Sequence, residues 1–303
     1  MPLSVAKRMT YSVVAQRYYN ISCPNVDLAG QLFVVTGGAA GLGFGVSKGL
    51  VARGATVVMC GRNVQAGQAA VAELNATRSD ASTFLELDLA DLAAVPAFVR
   101  ALAAFVGKRK VTGLIANAGI WPEKSEKSAQ GFEAAFATNV LGHHLLFHLI
   151  QDAKLFVDSA RIVITTGDIY IMASGDPAED FVAPAGNEPQ YYYRSKLANL
   201  WQTAELQEQF PQHVFVAVHP GVIATNLVAG SSFVAWIKSL LLLTIDEGAQ
   251  AQLFAATQPM ARGAYLHNTC GVCELDAADL AMDKEKGKSL IAKCDRLIAP
   301  FRK

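Results

Sequence analysis

The chain has 303 residues, 52% hydrophobic and 17% charged, with 26 Lys plus Arg balanced by 26 Asp plus Glu. This composition supplies a substantial core and excludes a disordered chain, and the zero formal net charge removes any bulk electrostatic pull toward nucleic acid. Five scattered cysteines are too few for a disulfide framework, which implies reducing, cytoplasmic surroundings.

Residues 1–26 read as an N-terminal extension. Lys7, Arg8 and Arg17 interrupt it and no sustained apolar run lies between them, so no secretory signal is expected. Tyr11, Val13, Val14, Tyr18 and Tyr19 lie on one side of a short predicted helix. From 27 to 303 the pattern is that of a single domain. Strands are predicted over 32–36, 55–60, 83–88, 113–117, 161–165 and 214–219, each a short apolar run. Helices are predicted over 44–53, 64–74, 95–106, 131–149 and 192–209. Strands that alternate with helices and lack polar positions imply an α/β doubly wound parallel sheet, the Rossmann fold, covered on both faces. Ligand is expected at the carboxyl ends of the strands. No stretch reaches the length of a membrane span. Cys270 and Cys273 form a lone C-x-x-C without the second pair zinc would need, and read as small residues in a late strand or turn. No metal site is expected. His143, His144 and His148 read as packed helix residues.

The first strand runs into Thr36-Gly-Gly-Ala-Ala-Gly-Leu-Gly43. Gly37, Gly41 and Gly43 permit a tight turn and a close approach to a pyrophosphate, with Leu42 at the start of a helix whose free amides face the phosphates. The second strand ends Gly61-Arg62. An enzyme for NAD places an acid there to bond the ribose 2′-hydroxyl, whereas Arg62 suits a 2′-phosphate. NADP(H) is therefore favoured over NAD(H). Asp88 and Leu89 follow the third strand, where adenine is expected. Asn117, Ala118 and Gly119 end the fourth, where small residues admit the cofactor.

The pattern resembles the classical short-chain dehydrogenase/reductase family, in particular its retinol-dehydrogenase-like branch, over roughly 27–265. The resemblance rests on Thr36-Gly-x-x-x-Gly-x-Gly43, Asn117-Ala-Gly119, Asn139 within 132–143, Tyr192-x-x-x-Lys196 and His219-Pro-Gly221. It implies that Asn139 holds water in a proton relay behind Lys196, and that Lys196 also bonds the nicotinamide ribose. Pro220, Gly221 and Thr225 match the loop that meets the carboxamide. A homo-oligomer is also implied.

Tyr192 and Lys196, four residues apart on a helix, share a face. The ammonium is expected to lower the phenol's pKa, so that Tyr192 can donate a proton to a carbonyl or accept one from an alcohol. The chain departs from the family after the fifth strand, where a serine bonds the substrate oxygen. Here Gly167 falls on that serine, and the adjacent Thr166 is the hydroxyl assigned to the role, with Thr165 and Asp168 as lesser candidates. Thr166-Gly-Asp-Ile-Tyr170 also resembles the extended branch of the superfamily, in which Thr166 is the catalytic hydroxyl.

Insertions near 169–190 and 227–244 are expected to enclose substrate. Phe233, Trp236, Ile237 and 240–243, with Trp121, suggest an apolar pocket. An amphipathic helix packed on the core reads the later segment equally well, and shallow membrane contact is a third reading. Two classes of function remain. One is a reductase or dehydrogenase of an apolar carbonyl or alcohol. The other is a nucleotide-binding sensor or interaction protein with little turnover.

Overall fold

The computed structural model describes residues 8, 10–11, 15–122, 124, 126–175, 182, 188–223 and 242–302. Eight strands form one sheet in the order β3-β2-β1-β4-β5-β6-β7-β8. They are β1 (Leu32–Thr36), β2 (Thr56–Gly61), β3 (Ser82–Glu86), β4 (Val111–Ala116), β5 (Phe156–Thr165), β6 (Val214–His219), β7 (Ala264–His267) and β8 (Gly271–Cys273). All neighbours are parallel except β7 and β8, which close as an antiparallel pair. The order reverses direction between β1 and β4, the switch point where such sheets open a crevice at their carboxyl ends.

Successive side chains of a strand point to opposite faces, and here both faces are apolar. Leu32, Val34, Leu114, Ala116, Ile162 and Ile164 join one buried cluster, whereas Phe33, Val35, Ile115 and Val163 join the other. The first cluster lies under α3 (Val95–Val106), α4 (134–152), α5 (Glu188–Gln209) and α7 (Lys284–Ile298). The second lies under α1 (Gly41–Ala52), α2 (Val64–Thr77) and α6 (Ile245–Thr257). Helix α4 is not uniform: a π turn over Ala137–Leu141 separates Ala134–Phe136 from Gly142–Asp152.

Where the sequence predicts strands and helices, they are present. Those over 32–36, 95–106 and 214–219 match to the residue. β5 starts earlier than expected, at Phe156, which pairs with Val111 of β4, and the exposed Asp158 and Ser159 interrupt the apolar run that marks the rest of the strand. β7, α6 and α7 are not in the sequence reading. The two helices carried a signal: a Thr244-x-x-Glu247 capping box starts α6, and Asp283 caps an amphipathic α7 that buries Leu290, Ile291, Cys294 and Ile298.

The N-terminal segment is tied to the domain by polar side chains. The short helix Gln16–Tyr19 exists, but Tyr11, Tyr18 and Tyr19 are exposed, while Arg8 and Gln16 are buried. The Arg8 guanidinium donates to the Tyr170 hydroxyl and to Asp279, both at 2.8 Å, and Tyr170 donates to Asp279 at 2.7 Å. Gln16 grips the backbone of Val222 from both sides, donating to its carbonyl at 3.1 Å and accepting from its amide at 2.9 Å. Polar side chains with obligatory partners, rather than the tyrosines, tie this segment down. Among the described residues no helix is long and apolar enough to cross a membrane.

Candidate active site

A cavity of about 660 Å³ opens at the carboxyl ends of β1, β2, β4, β5 and β6. The turn after β1 forms its floor. Gly37, at φ +63°, holds a left-handed conformation that favours glycine. A side chain at Gly43 would overlap the Gly37 carbonyl and the Asn117 amide. Ala40 gives α1 no capping side chain, so the first-turn amides remain for a ligand where Ala40, Leu42 and Gly43 line the cavity. The residues present thus fit a dinucleotide phosphate.

The turn is held by Thr36. Its hydroxyl accepts from the amides of Asn117 and Ala118, both at 2.9 Å, and lies 2.8 Å from His143 Nε2. His143 is buried, which pushes its imidazole down to about 4 and leaves it neutral. A neutral ring that donates from Nδ1 to the Asn139 carbonyl (3.2 Å) accepts the Thr36 proton at Nε2. These bonds fix the end of β4 against the end of β1.

Leu42, Gly43, Gly61, Arg62, Asp88, Leu89, Asn117, Ala118, Gly119, Thr166, Tyr192, Lys196 and Gly221 line the same cavity, along with Gly37. Arg62 is exposed at its rim, beside open space at Gly61. Gly41 starts α1 but does not line the cavity, and neither do Pro220 and Asn139. Thr225 and the apolar residues 227–241 lie outside the described residues, as does much of 169–190.

Tyr192 and Lys196 project from α5 into the cavity, whereas Tyr191 turns into the core and Tyr193 does not line the cavity. Lys196 Nζ sits 5.3 Å from the centre of the Tyr192 ring and donates to the Thr165 carbonyl at 3.1 Å. The Tyr192 ring stacks on Trp121 at 4.4 Å. The expected lowering of the phenol's pKa is not what this arrangement gives. The ammonium faces the ring, and burial dominates, raising Tyr192 to about 12 and lowering Lys196 to about 8.

Asn139 stands behind the cavity in the π turn. Its amide donates to the Ile120 carbonyl (3.1 Å) and to Ser195 Oγ (2.9 Å), and its oxygen accepts from the Ile120 amide (2.8 Å). Those contacts clamp the strand end to α5. Thr166 lines the cavity, yet its proton is committed to the Lys196 carbonyl at 2.7 Å, so only its lone pairs face outward. Thr165 Oγ1 accepts from Gln252 at 2.5 Å. Asp168, buried, accepts from the Tyr265 hydroxyl at 2.6 Å and from His267 Nε2 at 3.0 Å, and these partners hold it far below the usual carboxylate range despite burial. His219, at the end of β6, also lines the cavity and was not singled out from sequence as a site residue. Among the described residues, two trios gather metal-type ligand atoms within 4.8 Å of one another: Asp168, His219 and His267, and His144, His148 and Asp295.

Comparison with known proteins places this geometry. The short chain dehydrogenase family profile matches residues 31–232. Retinol dehydrogenase 11 of Mus musculus is 34% identical over 244 residues, spanning 77% of this chain and 75% of that relative. A short-chain dehydrogenase/reductase of Armillaria gallica is 30% identical over 247 residues, spanning 78% of this chain and 79% of its own. Among solved structures, an uncharacterised protein from Mycobacterium paratuberculosis superposes with a TM-score of 0.73 at 25% identity, covering 99% of this chain and 98% of that one. A blue fluorescent protein from a metagenomic library, solved with NADPH, shares the fold with a TM-score of 0.66 at 24% identity, over 81% of this chain and 98% of that one. With the family profile spanning most of the sheet and relatives above 30% identity over three quarters of the chain, this protein belongs to the short-chain dehydrogenase family of nicotinamide-dependent oxidoreductases.

Proposed function

We propose that this chain is an NADP(H)-dependent oxidoreductase that interconverts a carbonyl and an alcohol on an apolar substrate, with Tyr192 as general acid and base. One observation carries the reading: the glycine-rich turn and the Tyr192–Lys196 pair line a single cavity. A nicotinamide dinucleotide bound there supplies a hydride to a carbonyl carbon or removes one from a carbinol carbon. Tyr192, protonated across the physiological range with its pKa raised to about 12, gives its proton to the nascent alkoxide oxygen. Lys196, lowered by burial to about 8, is still mostly an ammonium at neutral pH, and it lends positive charge beside that oxygen and bonds the ribose. Asn139 positions Ile120 and the Ser195 turn of α5. Thr166 holds the Lys196 carbonyl. Arg62, exposed at the rim with no acid at Gly61, binds the 2′-phosphate.

The apolar substrate is supported by Ile120, Trp121, Ile169, Val222 and Ile223 along the cavity, and by relatives that carry the name retinol dehydrogenase. A panel of all-trans-retinal, cinnamaldehyde, nonanal and cyclohexanone, followed by NADPH consumption, tests the activity. Oxidation of NADPH by at least one apolar member is expected. NADPH binding without turnover of any carbonyl would instead favour the sensor reading, whose support is the missing hydroxyl at Gly167. The proposal includes a cytoplasmic homo-oligomer, with peripheral membrane contact through 227–244. Light scattering and vesicle flotation test those two points.

A further inference from the structure

The hydroxyl that bonds the substrate oxygen elsewhere in this family has no obvious replacement here. Gly167 has no side chain, Thr166 has spent its proton on Lys196, and Thr165 faces Gln252. The space at Gly167 is therefore informative. Its backbone is extended, and among the described residues a Cβ built there would meet nothing closer than His219 Nδ1 at 3.8 Å and Ile169 Cγ2 at 3.9 Å. The notch that a serine would fill is open, and an imidazole nitrogen borders it.

His219 is 6% exposed and lines the cavity, and neither of its ring nitrogens has a hydrogen-bond partner among the described residues. A buried imidazole without partners forfeits a substantial solvation energy and is uncommon unless a ligand completes it. Its surroundings are built. The ring packs 4.7 Å from His267, which donates from Nε2 to Asp168 while its Nδ1 accepts from the Thr269 amide at 3.2 Å. Tyr265 closes the other carboxylate oxygen. Asp168 also lines the cavity, but both its oxygens are already bonded, and His267 is engaged at both nitrogens, so His219 is the member of the trio with ring nitrogens left for a ligand.

We propose that His219 donates from Nδ1–H to the substrate oxygen seated in the notch over Gly167, in place of the absent serine hydroxyl. The inference rests on the reductase reading above. As hydride reaches the carbonyl carbon, the C=O π pair moves onto oxygen, which takes the Tyr192 proton. His219 keeps its own proton throughout and donates a bond that strengthens as charge develops. Burial, which lowers the imidazole to about 4, keeps it in the neutral form with one donor and one acceptor nitrogen.

The test uses the full chain, NADPH and the carbonyl of the panel that turns over fastest. His219→Phe should lower kcat/KM by about 10²–10³, the usual loss for one preorganised donor, while NADPH affinity stays within about twofold. His219→Asn, whose amide nitrogen falls near Nδ1, should retain at least about tenfold more activity than His219→Phe, and it keeps the test valid if the Phe variant misfolds. Gly167→Ser should restore at least about tenfold in the His219→Phe background, because the notch accepts the side chain. A binding readout is independent of turnover: cinnamamide, an unreactive carbonyl, should bind the NADPH-loaded wild type about tenfold more tightly than His219→Phe. Wild-type kcat/KM and unchanged cinnamamide affinity in His219→Phe, with Tyr192→Phe dead, would overturn this inference and leave the reductase reading intact. An active Tyr192→Phe would instead overturn that reading. Loss of activity on dialysis against EDTA, with recovery on zinc, would also overturn the inference by making Asp168, His219 and His267 a metal site.

Discussion

Tyr192 and Lys196 illustrate how much a side chain's surroundings decide. The spacing puts both on one face of a helix, but distance and burial, not spacing, set their protonation. With the phenol raised to about 12 and the ammonium lowered to about 8, the group that titrates near neutrality is Lys196. Its positive form exists below about 8, so carbonyl reduction at saturating NADPH should fall as pH rises from 7 to 9.5. A profile flat over that window would count against a role for the lysine's charge. Tyr192→Phe keeps the ring on Trp121 and removes the proton. It should leave NADPH binding intact and lower turnover by about 10²–10⁴. At the rim, Arg62→Ala should weaken NADPH about tenfold, the scale of one charge-assisted contact at an exposed site, and leave NADH affinity unchanged. Equal losses for both nucleotides, by fluorescence titration, would remove Arg62 from the 2′-phosphate.

At the level of elements, the strands were legible because burial on both faces leaves them nearly free of polar residues, and the glycine turn because its punctuation is specific. The last third of the chain was harder to read. α6 is rich in alanine and small residues, and its apolar face shows only once it lies across α1. That contact depends on Gly45, where a Cβ would meet Ile245 Cγ2 at 2.7 Å. Gly45→Val should therefore cost about 1–3 kcal/mol by overpacking, read as a lower urea midpoint with unchanged slope. The capping box that opens α6 is the other handle. Thr244 accepts from the Glu247 amide at 3.2 Å, and Glu247 accepts from the Thr244 amide at 2.8 Å. Thr244→Ala should cost about 1 kcal/mol. No change in the urea midpoint would mean that the helix start is held by its packing alone.

At the scale of the whole molecule, buried charges and imidazoles bear on stability. Arg8 and Asp279, each with a side chain 1% exposed, join the N-terminal segment to the loop before α7. Removing one member leaves the other's charge buried, so Arg8→Met should cost about 3–5 kcal/mol, far more than a surface pair. Wild-type stability in that variant would mean that Tyr170 and the Ala281 amide satisfy Asp279 without the guanidinium. The buried histidines set the acid limit. His143, His148 and His219 are pushed down to about 4, 3 and 4, against about 6.5 in the unfolded chain. Between those limits the unfolded state binds more protons. Stability is full above about 6.5 and falls as pH drops toward 4, with a slope approaching about 4 kcal/mol per pH unit for three such groups. A urea midpoint equal at pH 7 and pH 5 would contradict this.

The order of apolar runs, the Thr36–Gly43 turn and the Tyr192–Lys196 spacing determined the fold class and the nucleotide end of the site. These are local properties, because a strand buried on both faces and a turn that meets phosphate each impose composition on consecutive residues. Tertiary structure decided the rest. It committed the Thr166 proton to Lys196, turned Asn139 onto Ile120 and Ser195, buried Arg8 against Tyr170 and Asp279, and brought His219 beside Gly167. Those outcomes depend on which distant carbonyls, carboxylates and rings lie within about 3 Å of a polar atom. Such neighbours come from strands and helices far apart in the chain, so no window of sequence contains them.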